Sequence, residues 1–247
     1  MIISLYKPLG VSTHSFIKAY SDKIGEKATH TGSLDPMAEG VVVVLTGEDR
    51  FKKEKVGDVD KEYEFEILAG VQTDSWDLLG IVEKVAVLDG LKVDKVVESA
   101  LPTFTGQIEQ KIPRFSAKRI DGESYFDKAK RGESWAQATQ KVTVKSLELV
   151  SSRIVTRDEL MGVIKLKVSK VQGNFRQEEI IDRWQKVLEG FDGAEMTVLK
   201  VSAVTSKRTY VRGLVRDMSR KLNLPMTAFS IKRVRDGDFC LNNILRD

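Results

Sequence analysis

Cysteine is almost absent from this 247-residue chain, and histidine nearly so: there is one cysteine, Cys240, and there are two histidines, His14 and His30. A lone thiol excludes an intrachain disulfide and suits a reducing compartment. With so few such ligands, the common zinc sets cannot be assembled without leaning on carboxylates. No apolar run approaches the roughly 20 residues that a membrane helix needs. The opening MIISLYKPLG is too poor in apolar residues for a signal peptide. Nor is there a large excess of one charge. Lysine and arginine number 40 against 36 acidic residues, a net +4, so an anionic partner must be argued from where the charges lie. These absences leave a cytoplasmic, metal-free protein with no membrane association as the expectation.

What is present is globular: 41% apolar, 31% charged, and long enough for one large domain or two smaller ones. Residues 2–6 read as a strand before a Pro8–Gly10 turn. Ser12 or Thr13 can cap a helix carrying Phe16, Ile17, Tyr20 and Ile24, with Gly25 ending it. Residues 41–45 read as a buried strand. Along residues 61–68, Glu62, Glu64 and Glu66 alternate with Tyr63, Phe65 and Ile67, the mark of a strand. Asp94 is a candidate cap for a helix reaching Leu101. Residues 142–150, 163–168 and 197–204 read as strands, with a helix over 178–188 between the last two. Val211, Leu214, Val215, Met218 and Leu222 form one helical stripe, and Arg212, Arg216, Arg220 and Lys221 lie off it. Residues 230–239 read as a last strand. No internal repeat or linker is visible, and the irregular alternation favours an α+β fold.

Two stretches stand out chemically. In HTGSLDPMAE, residues 30–39, Asp35 sits between Leu34 and Pro36 in a tight loop that runs straight into VVVVLTG. Asp35 is either an ordinary turn residue or a carboxylate the loop exists to present. Residues 106–132 interleave Lys111, Arg114, Lys118, Arg119, Lys128, Lys130 and Arg131 with Phe115, Tyr125 and Phe126. That mixture suits a surface meeting phosphates and stacked bases, or a solvated loop and amphipathic helix.

Six ordered blocks together resemble the bacterial tRNA pseudouridine synthases of the TruB type: YKPLG from Tyr6, HTGSLDPMAEGVVVVLTGE from His30, KEYEFEILAGVQTDSWDLLG from Lys61, IPRFSAKRIDGESYFDKAKRGE from Ile112, SKRTYVRGLVRDM from Ser206 and IKRVRDGDF from Ile231. The resemblance implies the pseudouridine synthase fold, α+β with a mixed, largely antiparallel sheet flanked by helices, and an RNA-binding insertion at 106–133. It also implies a cofactor-free isomerase that detaches the T-loop uridine of tRNA, position 55 by convention, and rejoins it through carbon. The expected partner is the T arm of tRNA, bound by a monomer without a guide RNA.

By the same resemblance Asp35 is the catalytic carboxylate, Arg212 its paired cation, and Tyr63 the ring against the target uracil. Gly32 and Pro36 would stiffen the Asp35 loop. Tyr210 and Ile231 would complete the apolar lining. His30 would meet nucleotides displaced when the uridine is flipped out, Lys7 and Pro8 would pack beneath the loop, and Lys118 and Arg119 belong to the segment folding over the T arm.

Three features depart from the family pattern. Thr29 and Arg208 stand where glycine is usual, and the chain ends at Asp247, where many relatives continue into a PUA-like domain. The expectation is therefore one catalytic domain, 1–247, without that addition. Two other readings remain open at this level. One is a non-catalytic tRNA-binding or folding chaperone on the same scaffold. The other is a glycoside hydrolase using Asp74 or Asp77 as a second carboxylate.

Overall fold

The computed structural model describes residues 1–120, 122–190 and 195–244. Its first half gives β1 (Ile2–Lys7), α1 (Thr13–Ile24), β2 (Ala28–His30), β3 (Ala38–Thr46), the short α2 (Lys53–Val56), β4 (Lys61–Ala69), β5 (Val71–Thr73), β6 (Val82–Val85) and α3 (Val93–Ala100). The second half gives β7 (Gly106–Lys111), β8 (Arg119–Ile120), β9 (Glu123–Ser124), α4 (Tyr125–Lys130), β10 (Thr139–Val155), α5 (Arg157–Ser169), α6 (Gln177–Glu189), β11 (Met196–Thr205), α7 (Val211–Leu222), β12 (Met226–Asp236) and β13 (Phe239–Cys240).

Among the described residues, nine strands join in one sheet of order β1-β3-β12-β4-β11-β10-β7, with β2 and β13 pairing β3 and β12 beside that path. Within it only β3 and β12 run parallel. The mixed, largely antiparallel α+β architecture expected from the sequence is the one adopted. Alternation along β4 explains its central place. Tyr63, Phe65 and Ile67 are buried, while Glu62, Glu64 and Glu66 pair with Arg235, Lys200 and Arg153 at 3.0, 2.8 and 3.0 Å. Cross-strand charge pairs of this kind reinforce register without a buried cost. One core cluster gathers Phe65 with residues of α1, α3 and α7. The other packs Leu160, Ile164, Trp184 and Leu188 of α5 and α6 with Leu68, Val198 and Phe229.

Several elements differ from the sequence reading. Residues 163–168 lie in α5 and not in a strand. Thr156 and Glu159 form a reciprocal capping box there, and Leu160, Ile164 and Val168 fall on one buried helical face. That spacing outweighs the β-branched character of the segment. Asp94 does not cap α3: Lys92 holds the cap position with no side-chain bond, and Asp94 sits in the first turn. The last strand starts earlier and breaks at Gly237, whose φ of +61° makes the turn into β13. Residues 106–111 belong to the main sheet, paired with β10 up to Lys111↔Thr139. The basic and aromatic excursion is therefore residues 112–138.

Candidate active site

The loop from Thr31 to Met37 joins β2 to β3, and it is bonded from several sides. Thr13 Oγ1 accepts from the Leu34 N–H and donates to the Leu34 carbonyl, both at 2.8 Å. The Gly10 N–H donates to the Pro36 carbonyl at 2.8 Å. Lys7 is wholly buried and gives its three donors to the carbonyls of Pro8, Val11 and Ala38 at 2.9, 2.6 and 2.7 Å. Burial pulls its pKa down to about 8, against the opposing pull of Asp35 and Glu39. Lys7 thus ties the Pro8–Val11 turn to the start of β3 just beyond the loop. Thr29 does not stiffen an awkward turn: it is extended in β2 opposite Leu45, where a β-branched residue is at home.

Held this way, the Asp35 side chain stays 31% exposed and meets Arg212, which is 2% exposed. Arg212 Nε donates to Asp35 Oδ2 at 2.7 Å, Nη1 to the Ser75 carbonyl at 2.9 Å and Nη2 to the Phe115 carbonyl at 2.6 Å. The same Nε lies 3.5 Å from Asp77 Oδ2. Burial opposes the arginine's charge, but Asp35 and Asp77 outweigh it and hold its pKa above the ordinary value. Asp77 is deeply buried, which raises its pKa to about 6 despite Arg212 and the hydroxyl of Ser75. Its Oδ1 accepts from Ser75 Oγ at 2.6 Å and from the Leu79 N–H at 3.0 Å. Asp77 is thus an arginine partner, and Asp74, the other candidate second carboxylate, pairs with Arg176 at 3.0 Å.

Arg212 reaches this position because α7 starts two residues earlier, at the Tyr210 cap. Buried Gln110 fixes that start, accepting from the Tyr210 N–H at 2.9 Å and donating to its carbonyl at 3.0 Å. The preceding loop holds Arg208 at φ +69°, a left-handed conformation that accounts for the glycine usual there. Arg212 and Arg216, read from the helical stripe as lying off the core, are both buried. Arg216 is satisfied by Asp217 and by the Lys111 carbonyl at 2.9 Å.

Asp35 lies where two cavities meet. The first, of about 560 Å³, is lined by Asp35, Tyr63, Lys118, Tyr210, Ile231 and Arg233. Burial raises the pKa of the Tyr63 hydroxyl, with Arg233 interacting with it and working the other way; Tyr210 is also raised, chiefly by burial. The second cavity, of about 600 Å³, is walled by Arg212, His30, Arg119, Phe115, Phe126 and Phe175. His30 lies in β2, not in the loop; burial, Lys53 and Arg233 push its pKa down to about 4, so it is neutral at pH 7. Lys118 and Arg119 are exposed at the cavity rims. The structure brings every expected site residue to these two cavities except Lys7. Sequence reasoning missed Gln110, Arg233 and the pairing role of Asp77. Only the position of Asp77 in DSWDLLG, inside a matched block, could have drawn notice to it.

A model of the TruB family pseudouridylate synthase N-terminal domain matches residues 20–175. The chain belongs to the TruB family. Among TruB relatives, the tRNA pseudouridine synthase B of Caldanaerobacter subterraneus subsp. tengcongensis is 29% identical over 239 residues, spanning 96% of this chain and 69% of that protein. The enzyme of the same name from Cereibacter sphaeroides is 30% identical over 244 residues, spanning 94% and 80%. Of solved structures, an H/ACA RNP bound to a substrate RNA containing 2′-deoxyuridine superposes with a TM-score of 0.56 at 16% identity. A Cbf5–Nop10–Gar1 complex gives 0.55 at 19%. This TruB chain spans half the length of each of those chains, and at these identities the likeness is one of fold.

Proposed function

We propose that this protein is a tRNA pseudouridine synthase that isomerises the T-loop uridine, conventional position 55, with Asp35 as the catalytic carboxylate. The observation that carries the reading is the 2.7 Å Asp35–Arg212 pair at the junction of two cavities. The names of its relatives support tRNA as the substrate. A uridine in a folded loop must be extruded to reach a site this deep. The first cavity accommodates the flipped base, with Tyr63 against the ring and Tyr210 and Ile231 closing around it. The second, with His30 and Arg119, receives the displaced neighbours. Lys118 and the basic excursion meet T-arm phosphates, so recognition is mostly of RNA shape and backbone.

In this mechanism Asp35 meets the sugar or the base as the glycosidic bond opens, and Arg212 aims its carboxylate and balances its charge. Both acts use preorganised groups. The protein works as a cytoplasmic monomer with no cofactor and no guide RNA. Incubation with an unmodified tRNA transcript, followed by carbodiimide-stop mapping, tests this reading. A new stop at the T-loop uridine with wild type, absent with Asp35→Ala, is expected. No stop with wild type, or an undiminished one with Asp35→Ala, would contradict it.

A further inference from the structure

The Asp35 cavity contains a second buried charge cluster, and its sign is opposite to the first. Lys61 and Arg233 both line the cavity and are both buried. They share one carboxylate, Asp236, also buried. Lys61 Nζ lies 2.9 Å from Asp236 Oδ1, and Arg233 Nη2 lies 3.6 Å from Asp236 Oδ2. Thr31 Oγ1 donates to Oδ2 at 3.4 Å. Their other contacts are neutral: the carbonyls of Val59 and Gly57 for Lys61 at 3.0 and 3.3 Å, and for Arg233 the carbonyls of Val41 and Gly32 at 2.7 and 3.0 Å and the Tyr63 hydroxyl.

Two cations against one carboxylate leave one positive charge in excess. In the Asp35–Arg212–Asp77 cluster, two carboxylates face one cation. Burying unbalanced charge is costly, and apolar residues of similar size generally pack at least as stably. The strand pairing of β4 and β12 does not require it, since their ladder is made by backbone groups. The excess positive charge borders the cavity that Asp35 also lines, and it would favour an anion forming there.

Isomerisation of uridine makes such an anion. When the C1′–N1 bond breaks, its electron pair passes to uracil N1 and spreads onto O2 and O4. The sugar carbon left behind is met by the Asp35 carboxylate, or the sugar loses a proton to it. A C5–C1′ bond then forms as the Asp35 carboxylate leaves the sugar, or the sugar regains the proton Asp35 took; the C5 proton leaves to water and N1 takes one up, so no oxidant, co-reactant or net proton is needed.

We propose that Arg233, with Lys61 and under the control of Asp236, stabilises the detached uracil anion and positions the Asp35 loop through Gly32. This rests on the pseudouridine synthase reading above and adds a role for residues outside the Asp35–Arg212 pair.

The test compares wild type, Arg233→Gln, Arg233→Lys and Lys61→Gln in single turnover on two tRNAs. One carries uridine at the target and the other 5-fluorouridine, whose fluorine stabilises the departing anion. Cleavage of the original glycosidic bond is read by nucleoside digestion and mass spectrometry. With uridine, Arg233→Gln is expected to be about 100-fold slower, the scale of losing one preorganised electrostatic group. With 5-fluorouridine the deficit shrinks to about tenfold or less, while tRNA affinity is unchanged. Arg233→Lys, which keeps the charge, falls between. If Arg233→Gln does not fold, Lys61→Gln carries the same comparison. Equal losses on both tRNAs, or a loss in affinity alone, overturn this inference and leave the proposed function standing. An inactive wild type overturns both.

Discussion

Arg212 Nε reaches Asp35 Oδ2 at 2.7 Å across 177 positions of sequence, and the other two nitrogens of the same guanidinium bind the carbonyls of Ser75 and Phe115. One side chain therefore joins the Asp35 loop, the turn after β5 and the basic excursion. A lysine could satisfy the charge but not the fork. Arg212→Lys is expected to slow pseudouridine formation by about 100-fold or more while leaving tRNA affinity within a few-fold. Arg212→Ala strands Asp77 without its cation and should cost about 3–5 kcal/mol of stability. Rapid-quench kinetics and denaturant unfolding check the two parts.

Asp77 gives a pH signature. Its pKa is raised from 3.8 to about 6, by burial first and by Asp35 in lesser part, against Arg212 and Ser75. The folded state thus holds this proton more tightly than the unfolded chain does. The contribution is fully present below about pH 4 and is lost as pH rises through 6. Its scale is about 3 kcal/mol, at roughly 1.4 kcal/mol per unit. Denaturant melts of wild type and Asp77→Asn over pH 4 to 7 should show this falling component in wild type alone. Parallel profiles for the two proteins would contradict it.

The exposed cations at the cavity rims make a salt prediction. If Lys118 and Arg119 meet phosphates, tRNA affinity falls steeply with salt, and each residue replaced by alanine reduces the logarithmic slope by about 1. Filter binding across a salt series measures this. An unchanged slope in the double variant would make both side chains a solvated rim.

Arg208 sits at φ +69° just before the α7 cap. A non-glycine residue in this region carries about 1–2 kcal/mol of strain, partly offset by the greater freedom a glycine would have when unfolded. Arg208→Gly should therefore be neutral or raise stability by up to about 1 kcal/mol, and Arg208→Val should lower it. Thermal unfolding of the three proteins decides. A clear loss with glycine would show that the arginine side chain outweighs its backbone strain.

The fold was most legible where burial follows one period. β4 could be read from Tyr63, Phe65 and Ile67, and α7 from its apolar stripe. Reading failed where a second signal competed. The β-branched valines of α5 suggested a strand, while the deciding information lay in the Thr156–Glu159 capping box and the four-residue spacing of Leu160, Ile164 and Val168. In the site, Asp35, Tyr63 and Arg212 were legible through family blocks and not through physics. On a helical wheel Arg212 and Arg216 look solvated; their burial depends on carbonyls supplied by residues 75, 111 and 115. Arg233 escaped notice because a charged side chain outweighed its strand position. On β12 it shares the buried face of Ile231, two residues away, but an arginine there reads as exposed until the carbonyls of Val41 and Gly32 that satisfy it are seen.

In the proposed mechanism the carboxylate held by Arg212 performs the chemistry. Asp35→Asn keeps the shape and can still accept a hydrogen bond from Arg212, so it isolates the charge. Single-turnover formation of pseudouridine on a tRNA transcript, with affinity measured in parallel, is the direct test. tRNA should bind within about threefold of wild type while the rate falls by about 1000-fold or more, the loss of several kcal/mol of transition-state stabilisation. A rate within tenfold of wild type would contradict it.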